Sequence, residues 1–139
     1  MMATKIRPEI STKNKYWIDK HRHYELKHFC LQYPEWKRAY ASNDTAGTSS
    51  LGESVRTSNS PGDPTAIKAM KRACYFEKIK MIERAAKEAD QYLYDYILKA
   101  VTENLSYTYL KTRLNIPCGK DMYYDRYRRF FWLLSESRG

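Results

Sequence analysis

The stretch Leu105–Leu134, LSYTYLKTRLNIPCGKDMYYDRYRRFFWLL, decides how the chain is read. Ser106 is a helix-capping residue, because its hydroxyl accepts from the N–H groups that a first turn leaves unpaired. Leu110 and Leu114 follow at a spacing of four and give a short helix its inward side. Asn115 tolerates a left-handed backbone, which ends that helix. Ile116 is then an apolar plug for the corner, and Pro117-Cys118-Gly119 continue the turn. Lys120 or Asp121 opens a second helix. A short helix, a plug, a turn and a longer helix are the layout of a helix-turn-helix.

The second helix can be phased. Tyr123, Tyr127, Phe130, Phe131 and Leu134 fall on one side at steps of three and four. Asp121, Asp125, Arg128 and Trp132 fall on the other, flanked by Tyr124 and Arg129. An outer face of Arg, Tyr and Asp after a tight turn is what reading a major groove requires. Arginine forks onto guanine or clamps a phosphate, and aspartate accepts from cytosine or orients an arginine. The expected DNA contacts are therefore Tyr124, Asp125, Arg128 and Arg129 on the outer face. Lys111, Arg113 and Lys120 are expected to hold the phosphate backbone. The plainer reading of the same residues is a basic helix that closes a bundle.

Working outward, Asp63-Pro64-Thr65 is a helix start, with Asp as the cap and Pro in the first turn. Ala66, Met70, Ala73, Phe76, Ile79, Ile82, Ala86 and Ala89 then recur at steps of three and four, which predicts a long amphipathic helix over 64–89. Its polar side carries pairs such as Lys80–Arg84–Glu88. Asp90 or Gln91 breaks it, and 92–103 reads as another helix with Leu93, Ile97, Leu98 and Val101 inward. Toward the N-terminus, Trp17, His21, Tyr24, His28 and Leu31 predict a helix over 17–31, closed by Pro34. A second short helix is expected over 34–40. Residues 42–62 are rich in Ser, Thr, Asn and Gly, with only Ala46, Leu51 and Val55 to bury, so they read as a flexible linker. No stretch alternates as a strand would. The expectation is an all-α helical bundle: a basic helical segment over 1–41, the linker, and a helical domain over 63–139 with the helix-turn-helix at 105–135.

Composition narrows the function. The chain has 139 residues, 25 Lys plus Arg against 16 Asp plus Glu, and a formal charge of +9. The last thirty-five residues hold seven basic and three acidic side chains, which concentrates positive potential at that end. Thirteen tyrosines dominate the aromatic content, and tyrosine suits helix surfaces that meet partners. Phe130–Leu134 is the longest apolar run and falls far short of a membrane span. Met1–Pro8 lacks the apolar core of a secretory signal. The three cysteines, at 30, 74 and 118, fit no disulfide framework or paired zinc spacing. A cytoplasmic protein, not an enzyme, with no cofactor and no membrane, is expected.

Leu105-Ser106-Tyr107 through Leu110, Leu114-Asn115-Ile116 and Tyr123-Tyr124-Asp125-Arg126-Tyr127-Arg128-Arg129 resemble the sigma-factor domain-4-like helix-turn-helix of phage regulators. The nearest group is the RinA/ArpU-type late-transcription regulators of Gram-positive hosts. Lys15-Tyr16-Trp17-Ile18, Gln32-Tyr33-Pro34-Glu35-Trp36 and Ile116-Pro117-Cys118-Gly119 resemble small prophage proteins near that group. The regulator resemblance covers about the last thirty residues. It implies double-stranded DNA as partner, activation of phage genes with host RNA polymerase, 106–114 as the supporting helix and 121–134 as the recognition helix. Asn115 stands where the usual form has Gly, and Lys111 where it has a small residue. One additional residue lies between Ile116 and Met122. That rotates the second helix by about 100° if the first stays fixed.

Other constellations carry less. His21, His23, His28 and Cys30 lack a second cluster to complete a tetrahedral zinc site, and Lys20, Arg22 and Lys27 would repel a cation. No metal is expected. Cys118 has Lys120 nearby but no positioned base, so it reads as a small turn residue rather than a nucleophile. Asp121 and Asp125 are ion-pair partners of Arg128 and Arg129 by spacing. Phe130–Leu134 is apolar all round its helix, so two surfaces must be covered, either by residues 16–40 with the 64–89 helix or by a second copy in a homodimer. Two rival functions use the same composition. One is a small-terminase-like DNA-packaging accessory protein, and the other is a protein-interaction module that inhibits a host or defence enzyme.

Overall fold

The computed structural model describes residues 14–49 and 64–139. Among the described residues it holds six helices and no strand. These are α1 (Lys20–Leu31), α2 (Tyr33–Ser49), α3 (Pro64–Ala89), α4 (Tyr94–Glu103), α5 (Tyr107–Arg113) and α6 (Lys120–Arg138). The protein is an all-α helical bundle. The described residues form two compact units: residues 14–32 with 81–139, and residues 33–49 with 64–80. The units therefore do not follow the expected division into 1–41 and 63–139, because α1 packs against α4 and α6. The 50–62 part of the expected linker and the Asp63 cap lie outside the described residues.

In the first unit, α1 opens where Asp19 accepts from the His21 N–H at 3.0 Å. The expected start at Trp17 is instead a turn, in which the Asn14 side chain accepts from the Tyr16 N–H at 2.8 Å. The buried side of α1 is His23, Leu26, Phe29 and Cys30, while His21, Tyr24 and His28 face outward. The expected face was the wrong one. The aromatic and His row at 17, 21, 24 and 28 competes with Leu26, Phe29 and Cys30, and burying the second row removes more purely apolar surface from water. Arg22 then ties α1 to the last turn of α6, donating from Nε to Ser135 Oγ and from Nη2 to the Ser135 carbonyl, both at 3.0 Å. Arg138 stacks over the Phe29 ring at 4.0 Å.

The core of this unit brings Leu26, Phe29 and Cys30 together with Ile82, Ala86, Leu93, Ile97, Val101, Leu110, Ile116, Tyr123, Phe130, Phe131 and Leu134. Burial pushes the Cys30 thiol pKa far up, with the Arg138 charge opposing it. Between α3 and α4, Asp90 ends one helix and starts the next. Its Oδ1 accepts from the Tyr92 N–H at 2.8 Å and the Leu93 N–H at 3.1 Å. Asn104, at φ 59°, closes α4 in the left-handed region.

The second unit pairs α2 with the first half of α3. Arg72 stacks over the Tyr40 ring at 4.0 Å, and Tyr40 lies 5.8 Å from Phe76. Two differences from expectation occur here. The helix expected over 34–40 runs on through Ser49, into the residues read as linker. Extending an existing helix adds one bond per residue fixed, and no proline stands between Tyr40 and Ser49. In α3 the predicted apolar row splits. Ile79, Ile82, Ala86 and Ala89 are buried, but Ala66, Met70, Ala73 and Phe76 are exposed. The steps 70, 73, 76, 79 and 82 are all threes, each about 60° short of a full turn. The row therefore winds round the helix instead of lining one side.

Candidate nucleic-acid interface

The turn between α5 and α6 is built from its sequence outward. Ser106 Oγ accepts from the Tyr109 N–H at 3.1 Å and caps α5. The Leu110 carbonyl accepts from both Leu114 N–H at 3.2 Å and Ile116 N–H at 3.0 Å. That double acceptance requires the chain to reverse at Asn115, which it does at φ 54°. Ile116 is carried inward and is 1% exposed beside a wholly buried Leu110. Tyr107 reaches across the turn, its hydroxyl donating to the Cys118 carbonyl at 2.8 Å. Its ring lies 5.5 Å from Tyr123 and 6.2 Å from Tyr124. Gly119 precedes α6 with no side-chain cap, so the first-turn N–H groups of α6 have no side-chain partner from that position.

The underside of α6 matches its predicted phase. Tyr123, Phe130, Phe131 and Leu134 are buried, and Tyr127 is half-buried. His23 meets Phe131 edge-on at 4.9 Å and Tyr127 at 6.3 Å. Burial, helped by the neighbouring Tyr127 and Tyr124 hydroxyls, pushes the Tyr123 phenol pKa well above its ordinary value. Burial, with Tyr107 alongside, pushes the Tyr124 phenol pKa up as well. Tyr123 and Tyr124 therefore stay neutral near pH 7.

The seven candidate contacts separate into two groups. Lys111, Arg113 and Lys120 are exposed on either side of the turn. Tyr124, Asp125, Arg128 and Arg129 are half-buried. Tyr124 belongs to the tyrosine cluster, 5.1 Å from Tyr123 and 6.2 Å from Tyr127. Asp125 accepts from Arg126 Nη1. Arg129 Nη1 donates to the Tyr16 hydroxyl at 3.3 Å, and the Nε atoms of Arg128 and Arg129 are enclosed without a partner. The Tyr16 ring also lies 5.9 Å from Trp132, so residue 16 covers part of the outer side of α6 within the same chain.

Sequence reading missed Arg126. Its Nε donates to Asp90 Oδ2 at 2.9 Å, which fixes the middle of α6 to the α3–α4 connection. Burial disfavours the Asp90 carboxylate, but hydrogen bonds from Arg126 and from the Leu93 and Tyr92 N–H groups outweigh it, and its pKa lies below the ordinary value. The Asp90 hydrogen bond, working against burial, moves the Arg126 pKa up. Burial and the Asp90 charge push up the pKa of the Cys118 thiol, against the pull of Lys111 and Arg126. Among the described residues no three His, Cys, Asp or Glu side chains gather as metal ligands, and no helix is long and apolar enough to cross a membrane.

No protein-family model, no curated protein and no solved structure matches this chain.

Proposed function

We propose that the chain binds double-stranded DNA through the α5–turn–α6 pair. One observation carries this reading. The Asn115 reversal buries Leu110, Ile116 and Tyr123 beneath the turn and leaves Lys111, Arg113 and Lys120 exposed around it. Helix-turn-helix proteins dock by the start of the second helix, so cations at that junction are placed for phosphates. The uncapped first turn of α6 adds N–H donors for the same anions. Lys111, Arg113 and Lys120 supply the binding energy. The exposed Asp121 and the half-buried Tyr124 at the start of α6 face the bases. Arg128 and Arg129 are more enclosed and act behind that edge. The resemblance to phage late-transcription regulators supports reading this DNA binding as part of a phage or prophage transcription programme, with host RNA polymerase as a second partner.

The test is anisotropy of a labelled duplex at several salt concentrations, with Lys111→Glu/Arg113→Glu/Lys120→Glu beside the unchanged protein. Three lost phosphate contacts flatten the slope of log affinity against log salt by about 3. An unchanged slope and affinity in the triple variant sinks the reading.

A further inference from the structure

The second unit holds a surface that DNA binding does not use. Ile67, Met70 and Phe76, on the first half of α3, keep 44%, 70% and 40% of their surface exposed. Ala66, Ala69 and Ala73 are exposed among them. Taken at about 100° per residue, these six positions form one continuous apolar band roughly 180° wide. At its edge, α2 closes a concave pocket of about 360 Å³ in which the Tyr40 and Phe76 rings and the Arg72 guanidinium meet Ala69 and Ala73, with Glu77 as the one acidic side chain of the lining. Cations border both sides of the band: Arg72 beyond Phe76, and Lys71 and Lys78 beyond Ile67. Residues 64–80 carry five basic side chains and one acidic, Glu77.

We propose that this face docks an acidic amphipathic helix of a partner protein. The apolar side of such a helix covers Ile67 and Met70 and places one anchor in the Tyr40–Phe76 pocket, and its carboxylates meet Lys71 and Lys78. A second copy of this chain is the weaker fit, because it sets two strongly basic faces against each other. Duplex DNA matches the charge but offers no apolar side for Ile67 and Met70. An anionic bilayer matches the charge and the band, but a flat surface leaves the concave pocket empty.

The probe is a fluorescein-labelled helical peptide of about 18 residues with Leu and Phe on one face and Glu on the other. It is titrated with the full chain, beside its Lys-for-Glu counterpart. Saturable binding of the Glu peptide alone is expected, weakened about tenfold by Met70→Glu and by Lys71→Glu/Lys78→Glu. Met70 is open enough for its replacement to leave the fold intact, which circular dichroism checks. Four results overturn the proposal. These are no binding, equal binding of the Lys peptide, displacement by phosphatidylserine vesicles or duplex DNA at lower concentration than by unlabelled peptide, and a chain dimer that Met70→Glu dissolves. Lys111→Glu/Arg113→Glu/Lys120→Glu leaves peptide binding unchanged, so this result stands or falls apart from the DNA reading.

Discussion

Arg126 and Asp90 stand 36 positions apart in the chain and meet at 2.9 Å, guanidinium Nε to carboxylate Oδ2. Asp90 is only 10% exposed at its side chain, and its second oxygen is taken by the N–H groups that open the connection to α4. One carboxylate thus starts α4 and anchors α6, the helix whose first turn stands at the proposed interface.

Removing that carboxylate separates its two tasks. Asp90→Asn keeps an oxygen for the Tyr92 and Leu93 N–H groups but loses the charge pair, and is expected to cost about 1 kcal/mol. Asp90→Ala loses both and costs about 2 to 3 kcal/mol. Urea unfolding of the three proteins measures the difference. Equal midpoints for Asp90→Ala and the unchanged chain would refute the anchoring role.

The same group sets a pH dependence. The Asp90 carboxyl pKa lies below its ordinary value in the folded chain, so the unfolded chain binds more protons between the two values. Stability from this group is complete above about pH 4, the unfolded aspartate range, and fades as pH falls through the lower folded value. Asp90→Asn is therefore expected to flatten the acid limb of the stability curve below about pH 4 and leave its shape above that unchanged. Thermal midpoints across pH 2 to 7 check it. An acid limb that keeps its slope in the variant assigns the loss to other carboxylates.

At the turn, Asn115 and Ile116 make opposite demands. Asn115 sits at φ 54° and is exposed, so Asn115→Gly is expected to be neutral within about 0.5 kcal/mol and Asn115→Val to cost about 1 to 2 kcal/mol from backbone strain. Ile116 is buried, so Ile116→Ala costs about 2 to 4 kcal/mol through lost packing and the cavity it leaves. Denaturant midpoints rank the three. Asn115→Val as stable as Asn115→Gly would mean the left-handed reversal is absent in solution.

Local signals were legible before the structure. Pro64, Asp90, Ser106 and Asn115 each act through groups within a few residues; α3 and α5 begin and end, and α6 begins, within a residue or so of where the sequence puts them, while α6 runs on to Arg138, past the expected end at 134. The buried row of α6 was legible too, because Tyr123, Phe130, Phe131 and Leu134 recur at steps of three and four, whereas Arg and Asp side chains interrupt the sides that carry Met122, Trp132 and Leu133. What failed needed partners distant in sequence. The face of α1 depended on what α4 and α6 offer it, and His23 is buried because Phe131 and Tyr127 receive its ring. The exposure of Met70 and Phe76 followed from a row of threes that winds round α3, which spacing shows only when angles are summed. Among the candidate contacts, residue type marked seven cationic, acidic and aromatic side chains alike. Only tertiary structure showed Arg129 held by Tyr16 and Arg126 held by Asp90.

That separation yields a double dissociation between Lys120 and Arg129. Lys120 is exposed at the first residue of α6, whereas Arg129 is half-buried and donates to the Tyr16 hydroxyl. Lys120→Ala is expected to weaken duplex binding, reduce the salt slope by about 1 and leave stability within about 0.5 kcal/mol. Arg129→Ala is expected to do the reverse, with about 1 kcal/mol lost from unfolding stability and a smaller change in the salt slope. Tyr16→Phe reproduces part of the Arg129 effect on stability and leaves DNA affinity unchanged, because the hydroxyl it removes accepts from that guanidinium. Paired urea unfolding and duplex titration read both quantities on each variant. If Arg129→Ala lowers the salt slope as much as Lys120→Ala does, then the arginine leaves Tyr16 for phosphate, and the contact surface of α6 extends two turns further than its exposed start.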